Sequence, residues 1–146
     1  MSEFDFPPAM DDARLALIVE SYQRLTGKPL LEAFDPLALW NAPCAVVAHG
    51  TGNDPVFFYG NKLALQLFEM SFAEFVSMPS RLSAGPLAQQ ERTRLLARVT
   101  AQGFVDDYCG ERITKDGRRF MIQNGTVWNL LDAAGIHHGQ AATFIA

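Results

Sequence analysis

The sequence has few of the residues that a zinc site, a nucleic-acid surface or a membrane span would need. Its 146 residues include only two cysteines, Cys44 and Cys109, and no histidine lies beside either, which excludes an ordinary closed zinc site. Twelve Lys and Arg against sixteen Asp and Glu leave a net charge of −4, so binding to nucleic acid through its phosphates is not expected. No apolar run approaches the roughly 18 residues of a spanning helix, and the acidic start lacks the basic region of a signal peptide. We therefore expect a cytoplasmic protein without a nucleic-acid or membrane partner.

Apolar residues, by contrast, are plentiful enough for a core of ordinary size. Hydrophobic residues make up 49% of the chain, which has eleven Phe. A single domain of this length can therefore fold without a disulfide or a metal to hold it together. Cys44 and Cys109 are accordingly expected to be free, buried thiols, with a disulfide or a redox pair as the alternative.

Residues 56–78 carry the most informative pattern. A short apolar strand over residues 56–59 leads into a Gly-Asn turn, and Asn61 is well placed to cap the apolar helix that follows. Ser71 and Glu74 then have the spacing of a capping box at the start of a second helix. A strand followed by two short helices is typical of a small α+β sensor domain around its ligand pocket.

Further elements are predicted on either side of this stretch. Asp11 and Gly27 have the residue types that begin and end a helix over Asp12–Thr26, whose apolar stripe is expected to cover the main body or to pair with a second copy of the chain. The remaining predictions are a disordered leader over residues 1–10, a helical turn over Pro36–Trp40, a strand over 44–48, a helix over 87–102, and strands over 104–114, 119–131 and 136–145.

The last three strands should complete an antiparallel sheet. Asp116-Gly117 is a strong hairpin signal between the first two of them. Helices would gather on one face of the five-stranded sheet, with the N-terminal helix in addition. Alternation along strand 119–131 predicts that one face carries Phe120, Ile122, Asn124, Thr126, Trp128 and Leu130.

This order of elements resembles a PAS domain, and more narrowly the MEKHLA family, a PAS-like domain found alone in bacteria and at the C-terminus of plant class III homeodomain-leucine zipper proteins. The likeness covers residues 40–145. The matching words are His49-Gly50-Thr51 with Asp54-Pro55, Tyr59-Gly60-Asn61, Ala64-Leu65, Leu67-Phe68-Glu69, Pro79-Ser80-Arg81-Leu82-Ser83, Glu91-Arg92, Asp107-Tyr108 with Gly110 and Arg112, Gly117, Arg119-Phe120, Val127-Trp128-Asn129-Leu130 and Gly139-Gln140-Ala141-Ala142.

The resemblance implies a PAS-like fold over residues 36–146, preceded by an N-terminal helix and connector over 11–35. It also implies that this chain lacks the residues with which related PAS domains hold their cofactors. Flavin photoreceptors that resemble LOV domains carry a reactive cysteine on a central helix, where this chain reads Ser80-Arg81-Leu82-Ser83. Haem-binding PAS domains use a histidine on the helix before the last three strands, and residues 87–102 contain none. We therefore expect no flavin photoadduct, no haem and no cofactor.

Two sets of residues are candidates for functional or structural roles. Polar groups among apolar neighbours point either to an internal network, with Arg112 or Arg119 bonded to Glu69, Glu111 or Asp107, or to a mostly apolar pocket with a few orienting groups. In the second case the ligand-binding residues are Phe68, Phe75, Tyr108, Arg112, Phe120, Asn124, Trp128 and Gln140. The structural motif residues are His49, braced by Asp54 or backbone, together with Asp54, Asn61, Ser71 and Glu74.

Three functions fit this pattern. The first is a sensory or signalling module without catalytic activity, which binds a small organic ligand or forms a homodimer through the N-terminal helix. An enzyme is the second, with His49, Asp107 or Tyr108 as acid–base groups in the pocket. The third is a ligand-free dimerisation or docking domain. His137 and His138 are adjacent on a strand, point to opposite faces, and so are not expected to bind one metal.

Overall fold

The computed structural model describes residues 7–8, 11–84 and 89–145 of the chain. It contains a five-stranded sheet whose strands are β1 (Ala45–His49), β2 (Phe57–Gly60), β3 (Phe104–Ile113), β4 (Arg119–Leu131) and β5 (His137–Ile145). Their order across the sheet is β2-β1-β5-β4-β3, and every neighbouring pair is antiparallel. The predicted five-stranded antiparallel sheet is confirmed, and each strand lies within one residue of its predicted limits.

Five helices accompany the sheet in the described part of the chain: α1 (Asp12–Thr26), α2 (Pro36–Trp40), α3 (Lys62–Phe68), α4 (Phe72–Phe75) and α5 (Gln89–Gln102). A single 3₁₀ turn, Ser80–Ser83, lies between α4 and α5 in the described residues. The predicted start of α5 and most of the leader over residues 1–10 lie outside the described residues. None of the described helices combines the length and the apolar character that crossing a membrane requires.

The helices cover both faces of the sheet. Adjacent residues of β4 point in opposite directions and therefore contact helices on different faces. Trp128 faces α1: its indole Nε1 donates to the Ile18 carbonyl at 3.2 Å, and its ring meets Tyr22 edge-on at 4.9 Å. Asn129 faces α5, and its amide donates to the Val99 carbonyl at 3.0 Å. The N-terminal helix therefore lies on one face and α5 on the other.

The apolar stripe of α1 covers the chain's own sheet. Leu15, Ile18 and Val19 are buried within the single chain, and Ile18 is 0% exposed. Ser21 ties the helix down further, since its hydroxyl donates to the Leu131 carbonyl and accepts from the Leu131 amide, both at 3.0 Å. The predicted homodimer through α1 stays a prediction, and this stripe is not available to it.

One predicted alternation is wrong, because β4 contains a bulge. The pairing of β4 with β5 shifts register between Gln123 and Thr126, and Asn124 has a left-handed backbone with φ of 53°. Ile122 thus points to the side of α3 and α5, whereas Trp128 points to α1. The residues from Phe120 to Leu130 with even numbers do not share one face.

The two cysteines are free, but the prediction that both are buried is wrong. Tyr108 and Gly110 of β3 point inward, so Cys109 between them points outward and is exposed. Cys44 lies just before β1 and is half-buried.

The side chain of Asn61 joins three segments in the core, where it is 0% exposed. Its Oδ1 accepts from the Val46 amide of β1 at 2.9 Å and from the Ala64 amide at 3.2 Å, the latter bond capping α3 as predicted. Its Nδ2 donates to the carbonyls of Leu39 and Cys44 at 3.1 and 2.9 Å. One amide therefore binds four backbone groups, which lie in α2, at the start of β1 and in the first turn of α3.

We expect Asn61→Asp to lower the free energy of unfolding by about 3 kcal/mol or more, because the new carboxylate removes the donor that the carbonyls of Leu39 and Cys44 share and faces both oxygens with negative charge. Urea denaturation measures the change. Ser71→Ala is the matched control: Ser71 forms the predicted capping box with Glu74 at an exposed helix start. Its loss should cost only about 1 kcal/mol. Equal losses in the two variants would contradict the role assigned to Asn61.

Candidate functional site

A cavity of about 50 Å³ lies between the sheet, the 3₁₀ turn and α5. Its wall is mostly apolar, with Phe57, Phe68, Leu95, Ile122 and Val127 among the lining residues. Polar side chains reach it from five elements. They are His49, Ser80, Ser83, Arg92, Tyr108, Arg112 and Gln140.

The alternation of β3 places Tyr108 and Arg112 on the cavity side. Gly110 stands between them on the same face, and the Tyr108 ring lies across it towards Arg112. A Cβ at position 110 would meet the Tyr108 hydroxyl at 2.1 Å, so only glycine leaves room for this ring position. The guanidinium carbon of Arg112 is 5.2 Å from the centre of the Tyr108 ring. Tyr108 and Arg112 therefore form one unit at the cavity.

Two arginines, Arg92 and Arg112, line this site. Arg112 is 9% exposed, and burial lowers its pKa, which the neighbouring Tyr108 partly offsets. Arg92 is half-buried on α5; burial lowers its pKa and the positive charge of Arg112 lowers it further. Its guanidinium donates to the Ser80 hydroxyl. The site is thus rich in positive charge and in hydrogen-bond donors.

The carboxylates that could neutralise Arg112 are paired elsewhere. Of the ion pairs predicted for an internal network, only the one between Arg119 and Glu111 forms, at 3.6 Å. Glu69 instead pairs with Arg118, and Asp107 pairs with Arg98 at 3.6 Å. In the described part of the chain Arg112 makes no ion pair; its guanidinium donates to the Glu111 carbonyl at 2.9 Å and is hydrogen-bonded to the Tyr108 side chain. Its predicted role in the network is therefore wrong.

His49 ends β1 beside the cavity and is held in its neutral form. Its Nδ1 lies 2.9 Å from the Gly50 carbonyl, which fixes a donor at that nitrogen. Backbone thus braces this side chain as predicted, while Asp54 pairs with Arg81 at 2.9 Å. The Nε2 atom is buried and has no hydrogen-bond partner among the described residues. Burial lowers the pKa of His49, and the nearby positive charge of Arg92 adds to that effect.

Gln140 fastens α5 to the sheet at one end of the cavity. Its amide nitrogen lies within donating distance of three oxygens: the Leu96 backbone carbonyl at 3.3 Å, the Thr100 hydroxyl at 3.1 Å and the side-chain Oδ1 of Asn129 at 3.1 Å. The Asn129 oxygen also contacts His137 Nε2 at 3.3 Å, and His138 turns away to Asp132 at 2.9 Å. These side chains hold a helix in place, and the two histidines do not meet at one point.

The structure brings half of the predicted ligand-binding residues to the cavity, namely Phe68, Tyr108, Arg112 and Gln140. Phe75 and Phe120 stand behind Phe68, with ring centres 5.4 and 5.1 Å from it. Trp128 lies on the opposite face under α1, and Asn124 lies at the bulge of β4, so neither reaches the cavity. Neither cysteine lines it.

Arg92 and Ser80 were not predicted as site residues. Arg92 stands three and seven residues before Leu95 and Val99 on α5, and both of those residues are buried. That spacing places all three on one helix face and could have revealed it. Ser80 had no comparable signal, since its position follows from a 3₁₀ turn that packs beside β2.

The acid–base groups of the enzyme hypothesis converge only in part. His49 and Tyr108 both line the cavity. Asp107 points away, because it neighbours Tyr108 on β3, and its side chain is 70% exposed. Burial raises the pKa of Tyr108, which keeps its hydroxyl protonated and suits it to donating hydrogen bonds.

Gly110→Ala should displace the Tyr108 ring from Arg112 and lower the free energy of unfolding by about 1–3 kcal/mol, because the added methyl group occupies the position of the hydroxyl. Thermal unfolding measures the loss, and the changed environment of the Tyr108 ring is visible by NMR. Gly50→Ala is the control, since nothing lies within 4 Å of a Cβ there. The packing assigned to Tyr108 is incorrect if both variants are as stable as the wild type.

The stability of the protein should fall on acidification, and His49→Asn should reduce that fall. The folded state lowers the pKa of His49 below 6.5, so the unfolded chain takes up the proton first. Stability is then fully present above about pH 6.5 and decreases at lower pH, by at most about 1.4 kcal/mol per pH unit for one proton. Urea denaturation at about pH 7 and pH 5 compares the two proteins. His137, whose pKa is also lowered, contributes the same slope to both; identical slopes would contradict the buried neutral state of His49.

Several solved structures share this arrangement of sheet and helices. The chain is similar to the light-state dimer of the fungal blue-light photoreceptor Vivid (TM-score 0.66, 15% identity, covering 97% of this chain and 99% of that one). It is also similar to a PAS domain from Colwellia psychrerythraea (0.64, 17%, 75% and 90%) and to a light-oxygen-voltage domain studied with a flavin analogue (0.63, 19%, 75% and 81%). At these identities the similarity shows the PAS-like fold alone. No curated protein matches the chain.

The sequence itself matches one family over nearly its whole length. The model of the MEKHLA domain covers residues 12–146, and so begins with α1. The division of the chain at residue 36 stays a prediction. Taken with the fold, the match confirms the resemblance: the chain belongs to the MEKHLA domain family, whose domain is PAS-like.

Proposed function

We propose that this domain is a non-catalytic sensory module that binds a small molecule in the cavity between the sheet, the 3₁₀ turn and α5. The observation that carries the proposal is the cavity itself, where an apolar wall meets convergent donors from Ser80, Arg92, Tyr108 and Arg112. Ligand sites commonly combine a mostly apolar wall with a few polar groups that set orientation. The PAS-like fold supports a sensory role.

The cavity sets an upper limit on the ligand. Its free space of about 50 Å³ is small beside the roughly 300–1,000 Å³ of drug-sized pockets, and a single water needs about 10–15 Å³ by the same measure. The ligand in this conformation therefore has about three to five non-hydrogen atoms. A molecule of flavin size would require α5 to move away from the sheet.

The position of α5 supports a route from binding to signalling. Arg92 and Leu95 of this helix line the cavity, whereas its far end is held to β4 and β5 by Asn129 and Gln140. A ligand would add contacts at the first end only, and so would change how the helix sits on the sheet. The exposed side of α5 is the surface on which we expect a partner to sense that change.

The experiment is an NMR titration of the labelled protein with neutral and charged fragments of up to about five non-hydrogen atoms. We expect shifts to cluster on cavity residues such as Leu95, Ile122 and Val127. Ala142→Leu is the matched variant: Ala142 lines the cavity opposite Val127 on the neighbouring strand, so the larger side chain fills the space and should abolish the shifts. Circular dichroism confirms that the variant is folded. If no fragment shifts these resonances in the wild type, the cavity is not a binding site and the docking-domain alternative is favoured.

A further inference from the structure

We propose that the ligand of this cavity is a short-chain carboxylate, with its charged end held by Arg92 and Arg112 and its hydrocarbon end against the apolar wall. The inference rests on the proposed binding function and names its ligand class. It follows from the positive charge at the cavity, the position of the remaining acidic groups, and the size and apolar character of the space.

The two guanidinium groups lack negative counterparts where they stand. Arg92 and Arg112 take part in none of the ion pairs formed within the described residues. Of the acidic side chains around these two groups, Asp54 is already paired with Arg81, Glu111 pairs with Arg119, and Glu91 is exposed on α5. A buried cation without a partner is costly, and a second cation beside it raises that cost. An anion bound between the two would relieve both effects at once.

The other hydrogen-bond donors at the cavity, the hydroxyls of Ser80 and Tyr108, favour a bound anionic ligand over an acidic side chain of the protein itself. The Ser80 hydroxyl accepts from Arg92 and keeps its own proton free to donate. The Tyr108 hydroxyl is protonated and lies beside Arg112. Planar guanidinium groups bind carboxylates in forked pairs, which a compact anion such as chloride cannot use.

The wall of the cavity selects among anions. Phe68, Leu95, Ile122 and Val127 form an apolar surface next to the arginines. A fully ionic ligand such as phosphate would leave oxygens against this surface without donors, at the cost of a desolvated polar group. A carboxylate with two or three carbon atoms in total places its apolar part there and fits the available space of about three to five atoms.

Isothermal titration calorimetry with sodium propionate tests the proposal, with sodium chloride at matched ionic strength in the cell and syringe. Propionamide serves as the neutral control, because it has the same number of non-hydrogen atoms and a nearly identical shape. We expect propionate to bind about 10- to 100-fold more tightly than propionamide, the difference that a charge-assisted hydrogen bond makes. Sodium phosphate should bind less tightly than propionate.

Single substitutions show which arginine binds the charged end of the ligand. Arg92→Met should weaken propionate binding about 10- to 100-fold, whereas Arg94→Met, an exposed arginine of the same helix, should leave it unchanged. Arg112→Met should abolish the preference for propionate over propionamide while leaving the ligand-free protein as stable as the wild type or more so, because an unpaired buried charge is replaced by an apolar chain of similar length. An arginine kept only for structure would instead lower the melting temperature when removed.

The outcomes separate this inference from the proposed function. Preferential binding of propionate that depends on Arg92 supports both. Equal binding of propionate and propionamide, or phosphate binding more tightly than propionate, overturns the carboxylate assignment and leaves the cavity as a binding site. Binding that persists in Ala142→Leu overturns the assignment as well, since the anion is then held outside the cavity. A fragment titration without any cavity shifts overturns both proposals.

Discussion

The arrangement of this domain depends on one constraint, the opposite orientation of neighbouring side chains on β4. Because Trp128 and Asn129 are adjacent, they hold different helices on different faces: the indole receives α1 and the amide receives α5. The bulge at Asn124 decides which residues fall on which side, since it reverses the alternation between Ile122 and Trp128. Without that reversal the large indole would point to the face that now contains the cavity.

The cavity exists because α5 is attached to the sheet through polar contacts rather than through a continuous apolar seam. Asn129 and Gln140 bind backbone carbonyls and a hydroxyl at the far end of the helix, which fixes its distance from the sheet there. Among the α5 residues that line the space, only Leu95 is fully buried. Arg92 occupies a position that an apolar residue would take in a closed core. The same polar contacts that position the helix therefore also leave the space open.

The arginines at this site are costly for the ligand-free fold, and the carboxylate proposed above would offset that cost. A core of this composition could fill the positions of Arg92 and Arg112 with apolar side chains at no cost to folding, since a buried charge without a partner stabilises nothing. The other described basic residues of the strands and of the hairpin between β3 and β4 pair with surface carboxylates, as Arg118 and Arg119 do. Charge left unpaired at a cavity is where a ligand contributes most to the free energy of the folded state.

The sequence alone determined the elements whose signals are local. The limits of α1, the cap at Asn61, the capping box at Ser71 and the five strands were all predictable, because each depends on residues within a few positions of one another. Tertiary structure decided the rest. The face that Trp128 occupies depends on the bulge at Asn124-Gly125, a residue pair that permits a bulge but does not fix how the flanking halves of the strand pair, and the presence of both Arg92 and Arg112 at the cavity depends on how α5 crosses the sheet. The side chains at the cavity are distant in the sequence. Tertiary packing brings them together, and no local sequence pattern predicts that packing.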